Sequence, residues 1–177
     1  DLVLVAPPQE GDVQAQINQV EDQLAKGVDA IALAPGDPNA FAPIVDDAIK
    51  SGVPVVFVDT KGINEGVTFI GTNNKNGAAL AAKFICDKTP KGSDVAVLTG
   101  IESQSTALLR RDGAVAGLKA CGLNLVATQT AEWDTAKGRS VTESIILKNP
   151  NIKAIFASND NMGLGAMQAL KDADMND

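Results

Sequence analysis

Apolar runs and helix-period segments alternate along almost the whole chain. Leu2–Val5 is continuously apolar and predicts a strand. Val13, Ile17, Val20 and Leu24 then recur at helical spacing and predict a helix. Ala30–Leu33 predicts the next strand, Phe41, Ile44, Val45, Ala48 and Ile49 a second helix, and Val53–Val58 a third strand. A short strand over Val67–Ile70 precedes a helix capped by Asn73 or Asn74, whose apolar face is read as Leu80, Ala81, Phe84 and Ile85. The alternation then restarts: strand Val95–Leu98, helix 105–120, strand Leu123–Ala127, helix 135–148, strand Ala154–Ala157, and a last helix in which Met162 and Met167 read as core. Strands so continuously apolar are expected in sheets covered on both faces. Strand–helix–strand alternation implies parallel sheets with right-handed crossovers.

The pattern repeats. Leu2–Pro35 reads strand, polar loop, helix, strand, and Leu123–Ser158 reads the same at nearly the same length. The expected architecture is therefore α/β, two doubly wound parallel-sheet lobes over residues 1–71 and 72–177. The two copies are offset. The second lobe opens with a strand and helix that the first lacks, and the first continues through helix 41–50 to Val58 and Asp59, beyond where the second stops. Both lobes are thus expected to be incomplete in this chain. Open sheet edges would then be repaired by self-association, through edge pairing or strand exchange in a domain-swapped dimer, and ligand binding would be weak or absent.

Composition narrows the function. The formal net charge of −7 argues against nucleic acid as a partner, since phosphate binding needs a basic surface. Histidine is absent, which removes the commonest general base and metal ligand and every Ser-His-Asp or Cys-His arrangement. No phosphate-cradling glycine loop is present, so no catalytic residue, metal or cofactor is expected. Cys86 and Cys121 are too few for a zinc site. They close two helices at the same end of the second lobe, so they meet if those helices cover one face of the sheet and miss otherwise.

In open parallel sheets ligands bind beyond the carboxyl ends of the strands. Those ends carry Asp59, Thr99-Gly100, Thr130–Asp134 and Ser158-Asn159-Asp160, a set of carboxylates, amides and hydroxyls with the single Trp133. Such groups suit vicinal hydroxyls and the apolar face of a sugar ring. Each also has a structural reading. Asp59 serves equally as a turn residue. Asn159 and Asp160 compete for an N-cap, with Asn159 assigned to ligand and Asp160 to the cap. Trp133 reads as core or rim, and its charged neighbours favour the rim. Arg110 and Arg111 are both candidate solvated charges, of which at most one points inward.

These stretches, above all Glu10-Gly11-Asp12, Val55–Asp59, Thr72–Asn74, Arg110–Ala114, Trp133-Asp134 and Asn151–Asp160, resemble the periplasmic ribose- and allose-binding proteins of bacterial sugar ABC transporters. The resemblance implies the type I periplasmic binding fold and a periplasmic, non-enzymatic role. A monosaccharide, hexose or pentose, would be captured between two lobes and passed to a membrane permease. It also implies site residues: Asp59 accepting sugar hydroxyls, Arg110 binding sugar oxygens, Trp133 stacking on the ring, Asn159 as a strand-end amide and Thr72 as a hinge-side hydroxyl. Ala34 and Thr60 depart from the ribose-binding pattern, where asparagine and arginine stand, which favours a hexose or another polyol-like sugar. The alternative is the sugar-sensing effector domain of a LacI-type repressor, which would require a DNA-binding segment upstream.

Overall fold

The structure, a computed structural model, describes residues 1–175; the final two positions of the second lobe's expected span lie outside the described residues. Six helices and six strands are described: α1 (Val13–Ala25), β1 (Ile31–Leu33), α2 (Pro38–Lys50), β2 (Val55–Val58), β3 (Thr68–Ile70), α3 (Asn74–Lys88), β4 (Asp94–Thr99), α4 (Ser105–Ala120), β5 (Asn124–Thr130), α5 (Thr135–Lys148), β6 (Ala154–Ala157) and α6 (Asp160–Asp172). They form two compact units, Asp1–Thr72 with Ser103–Ser105, and Asn73–Glu102 with the residues from Thr106 onward.

The first unit holds a parallel sheet in the order β1-β2-β3. Its helices start where the sequence supplies side-chain caps. Asp12 accepts from the Ala15 amide at 3.0 Å, and Asp37 accepts from the Asn39 and Ala40 amides ahead of Pro38 in the first turn of α2. Val20 of α1 and Phe41 and Val45 of α2 bury against Leu33 and Phe57, with Ile31, Val55 and Phe69 packed around them. These strand residues alternate, so they occupy one sheet face. On the other face Ala32 and Ile70 remain exposed, and both helices share the single core.

Leu2–Val5 does not form the expected strand. It runs as irregular chain with Leu2 95% and Leu4 91% exposed. An apolar run becomes a strand only where a neighbour completes its ladder, and β1 pairs with β2 alone among the described residues.

The second unit is layered on both faces of a parallel sheet ordered β5-β4-β6. The central strand shows why. Val95 and Val97 point to α3 and α4, where Ala78, Ala82, Ala114 and Leu118 bury. Ala96 and Leu98 point to the opposite core with Ile145, Ile146, Met162 and Ala166 of α5 and α6. All four strand residues are fully buried, the mark of a doubly wound centre.

The buried face of α3 differs from the expected one. Ala78 and Ala82 face inward, whereas Leu80 is 70% and Phe84 65% exposed, Ala81 is exposed and Ile85 half-buried. The cause is the closeness of α3 and α4. A Cβ at Gly113 would stand 2.2 Å from the Lys75 carbonyl oxygen, and one at Gly117 would stand 2.8 Å from the Ala82 Cβ. Backbones this near select small residues, so the small stripe is buried and the large apolar one turns out. Met167 is likewise exposed, while Met162 is core.

Because α3 and α4 lie side by side on one sheet face, Cys86 and Cys121 meet. They form a disulfide with an S–S distance of 2.04 Å and Cα atoms 6.1 Å apart. The face assignment left open by the sequence is thereby settled.

On the other face α5 and α6 touch backbone to backbone. A Cβ at Gly165 would stand 2.1 Å from the Thr135 carbonyl oxygen and 2.6 Å from the Arg139 nitrogen. Gly165→Ala must therefore push α6 from α5, and we expect a loss of about 1–3 kcal/mol in denaturant unfolding. An unchanged midpoint would show that the helices separate at no cost.

Candidate functional site

The carboxyl ends of β4, β5 and β6 converge on one side-chain cluster in the second unit. Arg110, one helical turn into α4 and half-buried, is its centre. Its Nε donates to Asn74 Oδ1 at 2.8 Å, its Nη1 donates to the Ser158 carbonyl at 2.9 Å, and its guanidinium carbon lies 5.6 Å from the centre of the Trp133 ring. Arg111 instead pairs with Asp112 at the surface. One of the two arginines thus turns inward, and it is Arg110.

Trp133 is not at a rim. It is 7% exposed and belongs to the core built from Leu98, Ala107, Ala131 and Ile145. Its ring lies against the backbone of Gly100, where a Cβ would come within 2.0 Å of the ring. Glycine at position 100 is therefore a steric requirement of the indole. The charged neighbours misled the sequence reading because the chain reverses sharply here. Glu132 and Trp133 both adopt left-handed backbone, φ 50° and 65°, which sends Glu132 outward and the indole inward. A bulky residue in that region is strained, and such strain gathers at functional sites. Around the turn Glu132 pairs with Lys137, and Asp134 caps α5 through the Lys137 amide at 2.8 Å. The hydrogen bond from Lys137 to Glu132, helped by the charges of Glu132 and Asp134, holds the ammonium above the ordinary lysine range.

Asn159 joins the cluster and also takes the helix cap that the sequence reading gave to Asp160. Asn159 is the N-cap of α6, its Oδ1 accepting from the Met162 amide at 3.0 Å, and Asp160 is the first helical residue. The other half of the Asn159 amide donates to the Trp133 carbonyl at 3.3 Å. Ser158 is buried and donates its hydroxyl to the Leu98 carbonyl at 2.8 Å, which fixes the β6 end against β4. Arg110, Trp133 and Asn159, all expected from the sequence, therefore come together. Asn74, Ser158 and Gly100 complete the cluster. The sequence offered Asn74 only as a possible cap, and Asn73 takes that role by accepting from the Asn76 amide.

Asp59 and Thr72 belong to the first unit. Asp59 is exposed at the end of β2 with φ 57°, its amide donating to the Ile70 carbonyl at 3.0 Å. Aspartate tolerates left-handed backbone better than most residues, and the turn presents its carboxylate to solvent. Thr60 beside it is buried. Thr72 is exposed just beyond β3. Among the described residues no group of three or more His, Cys, Asp or Glu side chains is arranged to hold a metal ion, and no helix is long and apolar enough to cross a membrane.

Comparison with known proteins extends these observations. The family described as periplasmic binding protein domain matches residues 1–177. A D-ribose/D-allose-binding protein of Pseudomonas aeruginosa is 32% identical over 98% of this chain and 56% of its own length. A ribose import binding protein of Bacillus subtilis is 38% identical over 91% of this chain and 53% of its own length. Among solved structures, an ABC transporter periplasmic solute-binding protein of Actinobacillus succinogenes with bound D-allose superposes with a TM-score of 0.90 at 33% identity, covering 99% of this chain and 64% of that one. The chain spans little more than half the length of the curated relatives it matches.

Proposed function

The chain belongs to the periplasmic binding protein domain family, and from that premise we propose that it takes part in capturing a monosaccharide in the periplasm for delivery to an ABC transporter permease. The family is one of binding proteins and not of enzymes. The observation that carries the proposal is the Arg110 cluster. Its acceptors are an uncharged amide and a carbonyl, and those two bonds use two of its five N–H donors. The fork presents further donors to neutral hydroxyls, and the buried indole beside it backs the guanidinium at the strand ends. Asn159 adds an amide at the same strand ends. Asp59 and Thr72 of the first unit are assigned an acceptor carboxylate and a hydroxyl for the sugar. The departures at Ala34 and Thr60 favour a hexose or another polyol over ribose.

A thermal-shift and fluorescence panel of pentoses, hexoses and inositols tests the reading on this chain. Trp133 is the only tryptophan and tyrosine is absent, so any change in emission reports this cluster. Because both lobes are read as incomplete, we expect a weak response, seen at millimolar sugar, with D-allose raising the melting temperature and perturbing the emission more than D-ribose does. A panel with no response in either readout would contradict the proposal for this chain.

A further inference from the structure

We propose that Asn74 is a positioning residue for Arg110, holding its guanidinium over Trp133 in the orientation that binds sugar; the last part rests on the function proposed above. Asn74 is the first residue of α3 and is 4% exposed. A buried amide at a helix start is costly unless its polar atoms are used, and Asn73 has already taken the cap. The Asn74 side chain instead turns across to α4 and accepts from Arg110 Nε at 2.8 Å.

The geometry of that bond matters. A guanidinium is a rigid plane, and two bonds at different nitrogens define its orientation where one would leave it to rotate. Asn74 holds Nε, and the Ser158 carbonyl holds Nη1 at 2.9 Å. The Trp133 ring then lies 5.6 Å from the guanidinium carbon, within cation–π range. The hold on Asn74 is itself firm. From it the α3–α4 contact runs through Lys75 against Gly113 and Ala82 against Gly117 to the Cys86–Cys121 disulfide. An amide suits the task better than a carboxylate because it accepts the bond without neutralising the charge.

The test is a double-mutant cycle read by Trp133 emission in the full chain without sugar. Asn74→Leu removes the acceptor at similar size, and Arg110→Met removes the charge. We expect Asn74→Leu to shift the emission maximum in the direction that Arg110→Met does, and to add nothing in the Arg110→Met background. Asn74→Ala serves the same cycle if leucine prevents folding, as judged by far-UV circular dichroism. A purely structural role would lower the melting temperature while leaving the emission of the folded protein unchanged, and that result overturns the proposal. So does an emission change of equal size in both backgrounds. With the sugar that gives the largest response in the panel above, Asn74→Ala should weaken binding about tenfold, as loss of a hydrogen bond to a charged group implies. If the unaltered chain binds none of the sugars, the function reading fails, and the emission cycle alone decides the role of Asn74.

Discussion

Replacing Trp133 by alanine should lower the stability of the second unit by about 3–5 kcal/mol, the range for truncating a buried large aromatic. The indole is 7% exposed, packed among Leu98, Ala107, Ala131 and Ile145 and laid on the Gly100 backbone. Its removal opens a cavity in this core. It also deprives Arg110 of its ring, a contact of about 0.5–2 kcal/mol. Alanine at φ 65° keeps the backbone strain while losing the packing that offsets it. Denaturant unfolding followed by circular dichroism measures the loss. An unchanged midpoint would mean the indole contributes nothing to this core. The same variant separates stability from binding. Where it remains folded at low temperature, a sugar affinity equal to that of the unaltered chain would remove Trp133 from the proposed site.

Much of the second unit was legible because its period and punctuation agree. Helices 105–120 and 135–148 and strand 154–157 have those bounds in the structure, and the strand ends bring together Arg110, Trp133 and Asn159. Four features were not legible, each for a physical reason. The face of α3 follows how closely the helices approach, and a pattern of apolar size cannot show that Ala78 and Ala82 meet a glycine stripe. Leu2–Val5 has strand composition, but pairing depends on a partner elsewhere in the chain. The inward turn of Trp133 depends on left-handed backbone at two non-glycine residues, a conformation that residue type argues against. Asn74 was hidden beside Asn73, since two adjacent asparagines before a helix look alike until one is seen to cap.

Reducing the Cys86–Cys121 disulfide, or replacing both cysteines by serine, should lower the stability of the second unit by about 2–4 kcal/mol. The two residues are 35 positions apart, and closing a loop of that length restricts the unfolded chain by up to about 4 kcal/mol in the chain-entropy account. The native side of the balance points the same way. Helix α3 buries only Ala78 and Ala82 among its apolar side chains and leaves Leu80 and Phe84 largely in solvent. A buried methyl contributes far less than a buried leucine or phenylalanine, so α3 depends heavily on its two ends: the disulfide at Cys86 and the Asn74–Arg110 bond at the start. Loss of the disulfide should therefore loosen α3 before the sheet. Hydrogen exchange should rise first in amides of its last turns, near Lys83–Asp87, while β4 stays protected. Trp133 emission against denaturant, with and without reductant, gives the midpoint shift for this unit alone, since the chain has no other tryptophan. A midpoint that does not move, with mass spectrometry showing both thiols free, would mean that small-residue packing alone holds α3 on α4.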